Sequence, residues 1–519
     1  MSRQQKSYLI IFAFAIIKFL VPFLFIHPAF ELHRDEYLYL ADADHLAWGY
    51  IEMPPMLAVM GAISKLGGTS FYTIYFWDAL FGSATLVLVG KIVLQLKGNS
   101  YAVFIACLSF LTAGFLRIHI LFQPNILDIF FWTLSSYLLI YWINTDDKKY
   151  LYYLGVCFGL GMLAKYTIVF FIVSFLISLV IPSKSKWLLN KHLYCSLFLG
   201  LLIASPNLIW QVTHHFPVLH HMQLLQEQQL QHISRIQFLI DQVLLTLPCF
   251  YIWMMGLWFV FAKKEGRKYI SIGIIYLSTI GLFLLLQGKS YYAAGIYPVL
   301  FSIGGTYLGQ IIESYSRNFI RWSVAIGIPV IMLFLCFSGF PVLLPYQSPQ
   351  TLEKTYIKMN VAKMGLLNWE DGKAHALPQD FADMLGWKEM ALKVASAYNT
   401  LDSADKKHTI IFCDNYGQAG AVNYYQKAFH IPKPYSLNAS FIYWIPDSLS
   451  VNNIVLLTED KKELEHSFIK DFQSAVVTDS VTNHYAKEQG DLIIILKGAN
   501  QHFNRWFKEK IEREKALLQ

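Results

Sequence analysis

The chain has 519 residues, of which 55% are hydrophobic and only 15% are charged. This composition is too apolar for a set of soluble domains and indicates a protein that lies in a lipid bilayer. The net charge of +7 is explained by Lys and Arg in short loops, where membrane orientation already requires them, so nucleic acid is not an implied partner.

Apolar runs follow one another over the first two thirds of the chain. A helix rises about 1.5 Å per residue, so about 20 apolar residues cross a hydrocarbon core of about 30 Å. The runs that meet this length are residues 8–27, 71–94, 192–210, 238–261, 269–286, 293–312 and 321–339. Two longer stretches, 101–143 and 151–181, are interrupted by polar residues, and each is predicted to form a helical hairpin.

The charges of the connecting loops predict the orientation of these spans. Cytoplasmic loops collect Lys and Arg, and an N-terminus on the inside places most of the loop Lys and Arg on the cytoplasmic face. Residues 1–339 are therefore predicted to form about eleven transmembrane helices of a multi-pass protein of the cytoplasmic (inner) membrane.

The composition turns polar after residue 340, and residues 340–519 are predicted to form a separate extracytoplasmic α/β domain. Buried strands are expected at 409–414, 453–459 and 491–498. Helical patterns cover residues 380–399, 417–429, 463–472 and 502–519.

The first outer loop, residues 27–55, is rich in acidic side chains. Asp35 and Glu36 are expected near the start of a short helix that runs toward Trp48. Acids held at a membrane boundary lose solvation and tend to be kept for a role, which makes this pair a candidate for catalysis. The alternative is a solvated loop that merely carries charge. Tyr50 and Glu52, in the GYxxxPP turn that ends the loop, are predicted to contact substrate.

The second outer loop, residues 117–128, ends at another acid. Asp128 falls in the first turn of a helix that begins at Pro124, where the helix dipole favours a carboxylate. A favourable interaction with the helix N-terminus alone would explain an acid at this position. Its expected position on the same membrane face as Asp35 makes it a further catalytic candidate.

Basic side chains are predicted at the same outer level. Arg117, Lys165 and Lys289 each lie at the end of an apolar stretch, and Tyr291 and Tyr292 follow Lys289. Each cation could extend its charged end to the interface. Together they would instead form an electropositive pocket for a phosphate.

These segments resemble the C-type (GT-C) superfamily of membrane glycosyltransferases, in the branch of the protein O-mannosyltransferases and the lipid A aminoarabinose transferase. The motifs that carry the resemblance are RDEYLYLADADHLAWGYIEMPP (34–55), FQPNILDIFFWTL (122–134), GLGMLAKYT (159–167), KSYYAAGIYP (289–298), LPQDFADMLGWKEM (377–390) and NYGQAGAVNYY (415–425). The resemblance covers nearly the whole chain.

The resemblance implies transfer of a sugar from a polyprenyl-phosphate donor to a glycolipid such as lipid A, a polysaccharide or a protein. Asp35 matches the catalytic acidic position, where it would act as general base on an acceptor hydroxyl with inversion at the sugar. Glu36 could orient the acceptor, and Asp128 falls near the family's second-loop acid. Membrane lipids are the other implied partner.

Other readings remain open at the level of sequence. No GxxxxGK or GxGxxG motif precedes a helix, so a nucleotide-dependent enzyme is not indicated. A secondary transporter or flippase of a lipid-linked sugar is the main alternative, although such proteins carry paired broken helices with polar residues at mid-membrane depth. No resident metal is predicted, but Asp35 with Asp128 could hold a divalent cation.

Overall fold

The computed structural model describes residues 2–181, 183–228, 231 and 234–518. The described helices are α1 (Arg3–Leu24), α2 (Arg34–Asp42), α3 (Met56–Leu66), α4 (Phe71–Gln95), α5 (Ser100–Thr112), α6 (Phe115–Ile118), α7 (Pro124–Thr145), α8 (Lys149–Ala164), α9 (Ile168–Leu179), α10 (Lys191–Thr213), α11 (Pro217–Gln228), α12 (Arg235–Leu245), α13 (Phe250–Ala262), α14 (Ile270–Leu285), α15 (Tyr297–Ser314), α16 (Asn318–Leu343), α17 (Pro349–Met359), α18 (Gln379–Ala382), α19 (Trp387–Asn399), α20 (Ser403–Lys406), α21 (Tyr416–Phe429) and α22 (Gln501–Leu517). The strands are β1 (Thr409–Cys413), β2 (Pro434–Tyr435), β3 (Asn453–Thr458), β4 (Ser474–Ser480) and β5 (Leu492–Lys497).

Contacts divide the chain into two compact units that interleave along the sequence. The first unit comprises Met1–Phe25, Tyr72–Ile209 and Leu224–Leu344. The second comprises Ile26–Phe71, Trp210–Gln223 and Pro345–Gln519. The first outer loop thus belongs to the same compact unit as the C-terminal third of the chain. The division into functional domains at residue 339 stays a prediction.

Apolar helices dominate the first unit. In the described part of the chain, 7 helices are long and apolar enough to cross a membrane, and there are up to 8 when a bent pair is taken as one span. The helices α5, α8 and α9 are apolar but shorter. The polytopic helical architecture is therefore present, while the number of about eleven spans stays a prediction.

The predicted hairpin in residues 151–181 is interrupted at the expected lysine. Lys165 has an extended backbone, with φ −161° and ψ 135°, between the end of α8 and the start of α9. The other predicted hairpin also divides, into α5 and α7 with the single turn α6 between them. These breaks place polar side chains at the ends of apolar helices.

One predicted span is not continuous. The run 238–261 was expected to be a single helix, but it divides into α12 and a helical segment that starts at Leu247, bent by 66° at the break. Pro248 lies directly after this break. Because proline has no backbone N–H and its ring clashes with the preceding turn, a straight helix through this position is disfavoured.

A five-stranded sheet forms the centre of the C-terminal part of the second unit. The strand order is β2-β1-β3-β5-β4, with β1 parallel to β2 and β3 and with β5 antiparallel to β3 and β4. Phe503, Phe507 and Ile511 of α22 pack on the alternate residues Ile454 and Leu456 of β3 in one core cluster. Burying these faces against α22 stabilises the sheet.

The strands predicted at 409–414, 453–459 and 491–498 are confirmed as β1, β3 and β5. The pattern at 463–472 forms two short 3-10 helices, Glu463–Glu465 and Ser467–Asp471, in place of the expected α-helix. The short strand β2 and the largely exposed strand β4 were not predicted.

Candidate functional site

The helix that carries the predicted acidic pair, α2, starts with a capping box. The Nδ1 atom of His33 accepts the backbone N–H of Asp35 at 3.2 Å, and the Glu36 carboxylate accepts the backbone N–H of His33 at 2.6 Å. Such reciprocal bonds satisfy amides that a helix start leaves without partners. Glu36 is completely buried, so its carboxylate fixes the start of α2. Its action on an acceptor stays a prediction.

Asp35 lies in the first turn of α2 with its carboxylate held from the C-terminal part of the same unit. The Tyr416 hydroxyl donates to Oδ1 of Asp35 at 2.8 Å. The other carboxylate oxygen, Oδ2, lies 3.9 Å from Nδ1 of His33, and 28% of the side chain is exposed. A carboxylate that is fixed in position yet accessible has the geometry that a general base requires.

Arg34, the residue before Asp35, anchors α2 from the other side. Its guanidinium carbon lies 4.5 Å from the centroid of the Tyr416 ring, and its Nε lies 3.9 Å from a carboxylate oxygen of Glu488. Burial alone would lower the pKa of Arg34, but Tyr416, Glu488 and Asp383 together raise it above its ordinary value. Arg34 therefore stays charged and holds the start of α2 in place.

Tyr50 closes the loop that follows α2. Its hydroxyl accepts the backbone N–H of Ala47 at 3.1 Å and lies 3.1 Å from the carbonyl oxygen of Asp42 and 3.2 Å from that of His45. The side chain is buried. The structure thus gives Tyr50 a role in loop closure, and its predicted contact with substrate stays a prediction.

Glu52 is paired with a second buried acid, Asp42. Burial, followed by the charge of Glu52, raises the pKa of Asp42 well above its ordinary value, and burial also raises the pKa of Glu52. The Ser440 hydroxyl donates to one oxygen of Glu52 at 2.8 Å. Burial and the nearby second carboxyl group thus favour the protonated form of this pair.

In the first unit, a polar group surrounds Lys165. Its ammonium donates to the side-chain carbonyl of Asn125 at 2.5 Å. The same ammonium lies 4.8 Å from the ring centroid of Tyr292 and 5.5 Å from that of Tyr291. Cation–π and hydrogen-bond contacts thus fix the position of the ammonium.

Asp128 and Lys289 complete this group. Both act electrostatically on Lys165, Asp128 by attraction and Lys289 by repulsion. Asp128 is buried, and within the described part of the chain its Oδ1 has no hydrogen-bond partner. A second lysine beside Lys165 favours an anion between the two cations. Asp128, Lys289, Tyr291 and Tyr292 thus lie near Lys165, and their role in binding a phosphate stays a prediction.

Arg117 lies on the single-turn helix α6, where its Nη1 donates to the backbone carbonyl of Val342 at 3.3 Å. This bond ties α6 to the end of α16. A contact of Arg117 with a phosphate stays a prediction, as does a divalent cation held by Asp35 and Asp128.

Several residues at these sites were not predicted from sequence. Tyr416 and Asp42 were not assigned roles because they act through partners that only the fold supplies. Lys18 was also missed: it is buried in α1 and donates to the backbone carbonyl of Phe115 at 3.2 Å. A lysine inside an apolar run was the available signal, because ionisable residues at membrane depth are rare and usually have a role.

Comparison with known proteins gives two kinds of match. The family of dolichyl-phosphate-mannose-protein mannosyltransferases matches residues 52–210, a range that includes Glu52, Arg117, Asp128 and Lys165 and begins after Asp35. No match was found among curated proteins.

Solved structures match over almost the full length. The crystal structure of ArnT from Cupriavidus metallidurans bound to undecaprenyl phosphate superposes with a TM-score of 0.58 at 13% identity, over 94% of this chain and 97% of that chain. ArnT from the same organism in the apo state gives 0.56 at 14% identity, over 95% and 98%.

These matches confirm the resemblance to the GT-C membrane glycosyltransferases. The chain has an ArnT-like GT-C fold, mostly helical, with a small sheet in its C-terminal part. The comparisons support a membrane glycosyltransferase.

Proposed function

We propose that the protein is an inverting glycosyltransferase that moves a sugar from a polyprenyl-phosphate carrier to an acceptor at the outer face of the cytoplasmic membrane. The observation that carries the proposal is the carboxylate of Asp35, which is held by Tyr416 and remains partly exposed in a chain with the GT-C fold. The acceptor is lipid A, another glycolipid, a polysaccharide or a protein.

The reaction follows from the groups that the chain provides. Asp35 takes the proton of an acceptor hydroxyl while the acceptor oxygen forms a bond to the anomeric carbon. The bond between that carbon and the phosphate oxygen breaks, the electron pair stays on the phosphate, and the carrier leaves as polyprenyl phosphate. Attack opposite to the leaving group inverts the sugar. The enzyme needs a positioned base and cations for the departing phosphate.

Lys165 and Lys289 are the cations assigned to that phosphate. The aromatic rings and the Asn125 amide around Lys165 fix its position, which limits the entropy lost on binding. The matched solved structure holds undecaprenyl phosphate, and the matched family is named for a dolichyl-phosphate sugar. Both names fit a polyprenyl-phosphate donor here.

The side of the membrane is proposed from charge. Loops rich in Lys and Arg lie on the cytoplasmic face of membrane proteins, and the loops assigned to the other face include the one that carries Asp35. On this basis the C-terminal α/β domain, 340–519, is proposed to lie outside the cytoplasm. The alternative function, a secondary transporter or flippase of a lipid-linked sugar, gains no support from matches to transferases.

The first prediction concerns the proposed base. Asp35→Asn keeps the size of the side chain but removes its basicity, so transfer should fall by at least about a hundredfold, the usual contribution of a general base. The measurement is the release of undecaprenyl phosphate from undecaprenyl-phosphate mannose and from undecaprenyl-phosphate aminoarabinose, in vesicles that contain envelope lipids. Wild-type rates in a correctly folded Asp35→Asn variant would remove Asp35 from this role.

The second prediction concerns the phosphate. Lys165→Met removes a fixed cation and should weaken binding of undecaprenyl phosphate about tenfold or more, because a hydrogen bond to a charged group contributes about 1.5–3 kcal/mol. Binding is measured with radiolabelled undecaprenyl phosphate. Lys149→Met is the matched control, since Lys149 is exposed and pairs with Asp147. Equal affinities in the two variants would contradict the assignment of Lys165.

A further inference from the structure

Helix α21, from the C-terminal part of the second unit, packs directly on α2. Its glycines make this approach possible. A Cβ atom built at Gly417 would lie 2.6 Å from Cγ of Arg34, and one built at Gly420 would lie 2.8 Å from the carbonyl carbon of Tyr37. Both distances are too short for a Cβ atom. At Gly420 the contact is with backbone atoms, so the two helix backbones meet there at a spacing that favours glycine.

This packing brings Tyr416, the first residue of α21, onto Asp35. The position of Tyr416 is fixed at both ends: Asn415 caps the helix start through the backbone N–H of Gln418, and the Tyr416 ring lies under the Arg34 guanidinium. Burial, followed by the charge of Asp35, raises the pKa of Tyr416 well above its ordinary value. The phenol is therefore protonated at neutral pH and donates its hydrogen to Asp35.

The neighbours His33, Arg34 and Asp383 act on Asp35 in other ways. Nδ1 of His33 accepts the backbone N–H of Asp35 and so has no proton to give to the carboxylate in that tautomer. Arg34 and Asp383 act on Asp35 through their charges, and the Arg34 guanidinium is directed at the Tyr416 ring and at Glu488. A directed hydrogen bond selects one rotamer of a carboxylate, whereas a diffuse charge does not.

We propose that Tyr416 is a positioning residue for Asp35: its hydroxyl fixes the carboxylate in the orientation needed for proton removal, so that the C-terminal part of the chain completes the catalytic centre. This inference rests on the proposed glycosyltransferase function. It gives the α/β part of the chain a role in the chemical step, in addition to any contact with the acceptor.

The test is Tyr416→Phe, which removes one oxygen atom and leaves the ring beneath Arg34. We expect kcat to fall about tenfold to a hundredfold, the effect of losing a hydrogen bond to a charged group. The KM for undecaprenyl-phosphate mannose should change by less than about twofold, because Tyr416 acts on the base and not on the donor. Rates are calculated per mole of monodisperse protein recovered from size-exclusion chromatography.

Tyr424→Phe is the matched control. Tyr424 lies on the same helix, and its hydroxyl donates to the backbone carbonyl of Thr69 at 3.0 Å, so its loss should leave kcat unchanged. An equal fall in kcat in both variants, or no fall in Tyr416→Phe, would overturn the proposal. The proposal would also be overturned if Tyr416→Phe folds less well but has a normal kcat once purified.

Asp35→Asn, measured beside these variants, separates the two levels of inference. An inactive Asp35→Asn variant together with a fully active Tyr416→Phe variant would reject the role of Tyr416 and leave the proposed function standing. Normal transfer by Asp35→Asn would instead reject the general base itself.

Discussion

Around the start of α2, the pKa values of ionisable side chains depend on burial as well as on charged neighbours. Asp491 lies beside Glu488, and its carboxylate accepts a hydrogen bond from the Gln418 amide at 2.7 Å. Burial and the neighbouring Glu488 raise the pKa of Asp491 to about 9. Asp491 is thus a proton donor at neutral pH, and the charge facing Arg34 comes from Glu488.

This protonation predicts a pH dependence of stability. The pKa of an aspartic acid in the unfolded chain is about 3.9. An acid with a higher pKa in the folded protein contributes most to the free energy of unfolding when the pH is below that unfolded value. Its contribution falls as the pH rises from about 4 toward about 9. Asp491→Asn has no proton to lose, so its melting temperature in detergent should exceed that of the wild type by several degrees at pH 8. The difference should shrink as the pH falls and vanish at about pH 4.

Glu512→Gln serves as the control for this measurement, since the Glu512 side chain is 64% exposed. Its melting temperature should follow the wild type across the whole pH range. Parallel curves for Asp491→Asn and the wild type would show that Asp491 is ionised in the folded protein.

The residues of the site were only partly predictable. Asp35, Lys165 and Lys289 stood out because ionisable side chains next to apolar runs are unusual. Tyr416 gave no such signal, since a tyrosine at a helix start has many structural roles and its partner Asp35 lies 381 residues away in the chain. The same holds for Asp42, which looked like one more acid of a solvated loop.

Among the elements, the crossing of α2 and α21 depends on close backbone contact. Gly420→Ala would place a methyl group 2.8 Å from the carbonyl carbon of Tyr37 and 3.0 Å from the backbone nitrogen of Leu38. Backbone atoms cannot rotate away as a flexible side chain can, so the helices must separate. Overpacking of this kind costs about 1–3 kcal/mol.

We therefore expect Gly420→Ala to lower the melting temperature and to reduce kcat by about tenfold or more, because Asp35 moves away from Tyr416. Gly281→Ala in α14 is the control, since a Cβ atom there meets nothing within 4 Å and alanine is the better helix former. Normal turnover by Gly420→Ala would show that the spacing of the two helices does not matter to the site.

Sequence patterns predicted the strongest elements and missed the weakest. The strands β1, β3 and β5 are continuous apolar runs, as expected for buried strands. The strand β2 has 2 residues and β4 is mostly exposed, so neither carries a hydrophobic pattern. The bend before α13 was missed because the apolar run continues through it.

For the whole molecule, composition was sufficient to predict a polytopic membrane protein with a separate polar region. It was not sufficient to predict the interleaving of the two compact units. Residues 26–71 join residues 345–519 through tertiary packing, and no local pattern in the loop indicates a partner so far along the chain. The structure of the loop was therefore predicted incompletely, and its role as a site stays a prediction.

That interleaving sets the order in which the protein can mature. Asp35 is synthesised long before Tyr416, 381 residues later, and at about 5–20 residues per second the ribosome needs roughly 20–75 seconds to cover the interval. During this time the early loop has no α21 to dock against. The contact between Asp35 and Tyr416 can therefore form only near the end of translation, when α21 has been synthesised.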